Sequence, residues 1–124
     1  MTDLAILIDM KKSRIRIHKK TLHAIGDPLF VALIINPEEY TICIQSSSID
    51  DKTAHRMYPN YVKSKICCEL YSKSLIYALR DLCPDWDADG RYTLLGDAIP
   101  AERMVKFPMR EAIRLGDQGN EQHK

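Results

Sequence analysis

Apolar and charged residues alternate strictly from Ser13 to His18. In an extended chain Ile15 and Ile17 face one side and Arg14, Arg16 and His18 the other, joined by Lys20 if the extension continues. The preceding run, Leu4 to Ile8, is short and rich in strand formers, so the two runs predict a β-hairpin across Asp9-Met10-Lys11-Lys12 with one core face and one cationic face. The spacing then becomes helical: Leu22 and Ile25 stand three apart, Thr21 is the expected cap, Gly26 suits a helix C-terminus, and Asp27-Pro28 ends the element. Leu29 to Ile35 and Tyr40 to Gln45 predict a second hairpin around Asn36-Pro37-Glu38-Glu39.

Ser46 to Ser64 lacks apolar periodicity and reads as a linker with one short helix at Asp51 to Met57. Beyond it, Lys65 to Leu70 reads as a strand. Ser72 caps a helix to Leu82 that gathers Leu75, Ile76, Leu79 and Leu82 on one side. Two further strands, Arg91 to Leu95 and Arg103 to Phe107, are expected around Ile99-Pro100-Ala101-Glu102. After Pro108 a short amphipathic helix is expected from Met109 to Leu115, followed by a flexible polar tail, 116–124.

The halves align in part: Ser13-Arg14-Ile15 with Ser64-Lys65-Ile66, Lys20-Thr21-Leu22 with Lys73-Ser74-Leu75, and Pro37-Glu38-Glu39 with Pro100-Ala101-Glu102. The alternative is two ordinary segments sharing common turn chemistry. The expected fold is therefore α+β: one domain over residues 1–115, with an internal repeat at 13–46 and 64–108. Its two βαββ units pack as a small sandwich or partly open barrel with short helices at the ends.

A chain of 124 residues that is 45% hydrophobic can build one core without disulfides or metal. No apolar run is long enough to cross a bilayer, and Leu4 to Ile8 is too short for a signal peptide, so the expected location is cytoplasmic, without membrane partners. Cys43, Cys67, Cys68 and Cys83 lack Cys-x-x-Cys spacing and are expected as buried thiols. His18, His23, His55 and His123 are scattered and form no zinc motif.

The net charge is only +1, yet six Lys or Arg residues, one His and no acid lie between Lys11 and Lys20. A two-stranded ribbon carrying such a face can meet phosphates and enter a major groove, where Arg14 or Arg16 could pair with guanine. Lys11, Lys12, Arg14, Arg16, Lys19 and Lys20 are therefore the candidate DNA-binding residues. The competing explanation is an edge strand protected by its charges, in a protein-interaction or assembly module without nucleic acid.

The order from Leu4 to Asp27, with Arg14-Ile15-Arg16-Ile17 and Ile25-Gly26-Asp27, resembles the AbrB-type swapped-hairpin DNA-binding domain, whose final hairpin corresponds to Leu29 to Ile44. Ser13 stands where that family usually has Gly, His18 where it has Pro, and His23 where it often has Arg. A tandem copy resembles the MraZ branch, in which two units build a pseudo-dimeric barrel. Cys67-Cys68-Glu69 replaces Arg16-Ile17-His18 in the second copy, so the resemblance implies cationic readout by the first copy alone and a homodimer for two-sided DNA contact.

Asp85-Trp86-Asp87-Ala88-Asp89-Gly90 reproduces the opening of a calcium loop, but the twelfth position is Gly96 instead of Glu, and a strand follows where a helix should begin. Calcium binding is not expected. No nucleophile elbow, metalloprotease motif, phosphate loop or Cys-His pair at motif spacing is present, so neither enzymatic activity nor a cofactor is expected. Trp86 and Tyr58, Tyr61, Tyr71, Tyr77 and Tyr92 could stack on bases, but they form no basic-aromatic pattern, and most of them read as half-buried packing residues.

Overall fold

A computed structural model describes residues 4–57 and 67–116. Strands β1 (Ala5–Asp9) and β2 (Arg14–His18) form the expected antiparallel hairpin, with Ile6 opposite Ile17 and Ile8 opposite Ile15. Ile8, Ile15 and Ile17 are wholly buried, as the alternation requires. Helix α1 (Lys19–Ala24) follows directly. Its cap is His18 and not Thr21: the His18 Nδ1 accepts the Lys20 N–H at 3.1 Å. Thr21 instead turns inward, fully buried, where its Oγ1 accepts the Ala5 N–H and donates to the Ala5 carbonyl, tying the helix to β1. Gly26, with φ of +89°, ends the helix in the left-handed conformation that glycine adopts without strain.

The second hairpin pairs β3 (Phe30–Asn36) with β4 (Thr41–Ser46). Its turn is held by Asn36 Oδ1, which accepts the N–H groups of Glu38 and Glu39. The helix expected at Asp51 to Met57 does not form. Asp51 Oδ1 accepts both the N–H and the hydroxyl of Thr53, and its Oδ2 accepts from Ser47, a local turn that competes with helical bonding. His55–Arg56 then forms β5, paired with Phe30 and Val31.

In the second half β6 (Cys67–Tyr71) leads to α2 (Lys73–Leu82), whose Ser72 cap accepts the Leu75 N–H at 3.2 Å and whose Leu75, Ile76 and Leu79 are buried. Lys65 and Ile66, assigned to the strand by pattern, lie outside the described residues, as does the tail from residue 117. Strands β7 (Arg91–Leu95) and β9 (Met104–Pro108) follow expectation. Between them β8 (Asp97–Ile99) occupies a stretch without a strand-like pattern. The helix expected from Met109 to Leu115 is reduced to one 3-10 turn, 109–111. The Met109 N–H bonds the Tyr40 carbonyl, and beyond Glu111 the chain extends into β10 (Ile113–Arg114) against β7, where the Leu115 N–H takes the Arg91 carbonyl in place of a helical acceptor.

The strands form two antiparallel five-stranded sheets, one in the order β10-β7-β1-β2-β6 and the other β5-β3-β4-β9-β8. The molecule is mostly β with few short helices, an α+β-like arrangement. Inward residues of both sheets, among them Ile6, Ile8, Ile15, Ile42, Ile44, Val105 and Phe107, join Ile76 and Leu79 of α2 in one core. The chain crosses between the sheets at Gly96, which separates β7 from β8 and packs against Phe107. Cys43, Cys68 and Cys83 are buried free thiols. Among the described residues no helix is long and apolar enough to cross a membrane.

Candidate functional site

The hairpin lies inside a sheet, flanked by β7 and β6, so it is neither a free ribbon nor an edge strand. On its outward face the two arginines lie between carboxylates that the topology brings alongside. Arg14 Nη2 donates to Asp9 Oδ2 at 3.2 Å; the side chains are only 14% and 6% exposed, and Asp9 Oδ1 also accepts the Lys12 N–H. Arg16 Nε donates to Glu69 Oε2 at 2.6 Å across the β2–β6 pairing, in a pair more than a third exposed. An exposed pair contributes about 0–1 kcal/mol, so Arg16 can be released at small cost. Removing one member of a buried pair costs about 3–5 kcal/mol, so Arg14 is fixed in the sheet. Lys11 and Lys12 are exposed at the turn, and Lys19 and Lys20 stand at the opposite end of β2. Among the described residues Lys11, Lys12 and Lys19 pair with no carboxylate. The six candidates thus run along the hairpin into the first turn of α1, as two lysine clusters separated by ion-paired arginines.

A second constellation assembles from segments far apart in sequence. Tyr40 at the β3–β4 turn, Trp86 after α2, and Arg110 and Arg114 near the C-terminal strand line a cleft of about 460 Å³. Trp86 stacks on Tyr92 with ring centres 4.3 Å apart and planes 15° from parallel. The Arg110 guanidinium lies 5.1 Å from the centre of the Tyr40 ring. The Tyr40 hydroxyl donates to Cys83 Sγ at 3.2 Å, which with burial pushes the phenol up to about 12, and the Cys83 thiol donates to Met109 Sδ. Burial likewise raises the Cys83 thiol, so both groups stay protonated at neutral pH. The sequence showed the aromatics but could not show that Arg110 and Arg114 come to them. Of the aromatics, most of them expected to be half-buried, Trp86 is partly exposed, Tyr92 is buried, and Tyr71 and Tyr77 are exposed. Tyr58 and Tyr61 lie outside the described residues.

The acidic loop is part of the wall of this cleft. Asp87 Oδ2 accepts from Arg114 at 2.5 Å, Asp87 Oδ1 accepts the Asp89 N–H, and the Asp87 N–H donates to the Tyr92 hydroxyl. Both carboxylate oxygens of the loop's central acid are therefore engaged. Among the described residues no group of three or more His, Cys, Asp or Glu side chains is disposed to hold a metal ion. Calorimetric titration with calcium is expected to show no saturable heat at micromolar concentration; binding lost in Asp87→Ala would reverse that expectation. Compared with protein-family models, curated proteins and solved structures, the chain matches none.

Proposed function

We propose that this is a non-catalytic DNA-binding regulatory protein that attaches to the phosphate backbone through Lys11, Lys12, Lys19 and Lys20. The observation that carries the reading is the division of labour on the hairpin: lysines at both ends, ion-paired arginines between them. Phosphate contact needs only charge within reach, whereas base readout needs a guanidinium able to turn into a groove. Arg16 is the one arginine of the pair cheap enough to release for that purpose.

The AbrB-like resemblance and the two βαββ units belong to the same proposal. Supporting the first, hairpin, short helix and hairpin follow in the family's order, and Ser13, where the family usually has Gly, adopts φ of +52°. Supporting the second, Arg91 to Ile99 counts as one strand bent at Gly96, so each half runs strand, helix, strand, strand. The matched turns also agree, since Tyr40 and Arg103, each following its Pro-x-Glu, are both left-handed, at φ of +57° and +51°. The Ser46 N–H bonds the Arg103 carbonyl and the Met109 N–H bonds the Tyr40 carbonyl, a reciprocal exchange fitting a pseudo-two-fold axis between β4 and β9. The second unit carries Glu69 opposite Arg16, so two-sided DNA contact calls for a homodimer.

Gel-shift titrations on a random DNA pool at several salt concentrations test the reading. Affinity is expected to fall with a log-log slope near 0.9 per phosphate contact, and Lys12→Ala to flatten it by about one unit. Arg16→Ala is expected to cost roughly 1–3 kcal/mol at preferred sites if Arg16 reads a base. Absence of binding at low salt by the folded protein rules the DNA reading out. A second reading, an assembly module, is favoured by the outward face of the same sheet, where Leu95 and Ile113 are about half exposed and Tyr71 more so. Self-association without DNA binding in sedimentation would put that reading first.

A further inference from the structure

The cleft beside α2 combines three features that do not occur together on the hairpin. It offers an aromatic surface, because Tyr92 occupies one face of Trp86 while the indole remains partly exposed and lines the cleft. It offers a cation, because Arg110 is exposed, is held by the Tyr40 ring and pairs with no carboxylate among the described residues. It also offers an acceptor, because Asp85 lines the same cleft and makes no ion pair among the described residues, whereas the neighbouring Asp87 is taken up by Arg114. Asp85 and Arg110 are not paired with each other, so two opposite charges face one space of about 460 Å³ with an aromatic ring beside them. That volume falls within the usual range for small-molecule sites, about 300–1,000 Å³.

A ligand complementary to all three is flat, carries an anion at one end and presents hydrogen-bond donors at the other. Nucleotides have this distribution, and among the common bases guanine alone sets a ring N–H beside an exocyclic amine, two donors spaced to meet both oxygens of one carboxylate. We propose that the cleft binds a guanine mononucleotide, with the base stacked on Trp86, its Watson–Crick donors on Asp85 and its phosphate on Arg110. Stacking supplies affinity for any base, and Asp85 supplies the preference.

Trp86 is the only tryptophan in the chain, so intrinsic fluorescence of the full-length protein reports this cleft directly. Titration with GMP, corrected against a free tryptophan analogue, is expected to give saturable quenching, with AMP and CMP binding at least about fivefold more weakly. Arg110→Ala is expected to weaken GMP about tenfold, and Asp85→Asn to abolish the preference for GMP over AMP while far-UV circular dichroism stays unchanged. Lys11→Ala, on the hairpin, is expected to leave GMP binding intact, which separates this site from DNA attachment. Quenching that never saturates, equal binding of ribose 5-phosphate, or indifference to both Arg110→Ala and Asp85→Asn in folded protein would overturn the proposal.

Discussion

Replacing Gly96 with alanine is expected to lower stability by about 3 kcal/mol, a fall in Tm of about 10 °C for a domain of this size. A Cβ at this position would stand 2.6 Å from Phe107 Cδ1 and 2.7 Å from the Lys106 carbonyl oxygen. Phe107 is wholly buried and Lys106 belongs to β9, which is paired on both sides, so neither neighbour can withdraw. Gly26→Ala provides the contrast. Its Cβ would meet Arg103 Nη2 at 2.6 Å, the movable end of a long side chain, so the loss there comes mainly from the positive φ and is expected near 1 kcal/mol. Thermal unfolding followed by circular dichroism checks both. Equal losses at the two glycines would show that the passage between the sheets is less tightly packed than the distances indicate.

Asp9→Ala is expected to cost about 3 kcal/mol, measured as a shift in the urea midpoint at constant m-value. The substitution leaves Arg14 without its carboxylate in a side-chain environment only 14% exposed, and takes from the turn the acceptor of the Lys12 N–H. Asp9→Val combined with Arg14→Leu is expected to recover most of the loss, because an apolar pair of similar size removes the uncompensated charge. A loss below about 1 kcal/mol in Asp9→Ala would show that the pair behaves as an exposed one. Arg14 would then be as available to DNA as Arg16.

Elements whose side chains repeat with a clear period were legible in the sequence. Ile15 and Ile17 alternating with arginines gave β2 its two faces, and Ser72 followed by Leu75, Ile76 and Leu79 gave α2 its start and its buried side. Elements set by a partner far along the chain were not. β5 and β10 are two residues long and exist only because Phe30–Val31 and Tyr92–Thr93 lie beside them. Met109, Ala112 and Ile113 have helical spacing, but the pairing of Ile113 and Arg114 with β7 and the bond from the Leu115 N–H to the Arg91 carbonyl prevail over it. The same limit applies to the candidate sites. Alternation located the cationic face of β2, but only the register with β6 brings Glu69 to Arg16, and only the full fold gathers Tyr40, Asp85, Trp86 and Arg110 around one cleft.

The interleaving of the two halves also governs when the protein can fold. In both sheets, strands of the first half need partners from the second: β1 needs β7, β2 needs β6, and β4 needs β9. A nascent chain that has emerged only as far as β4 has two hairpins whose outer edges expose unpaired amides, and the Ile42–Ile44 stretch of β4 lacks the β9 neighbour that completes its burial. Completion waits on contacts between residues widely separated in sequence, which makes folding slow relative to helical proteins of the same length. Until synthesis reaches β9, the first half is a substrate for chaperones and for self-association, and the protein's yield in a cell depends on how long that interval lasts.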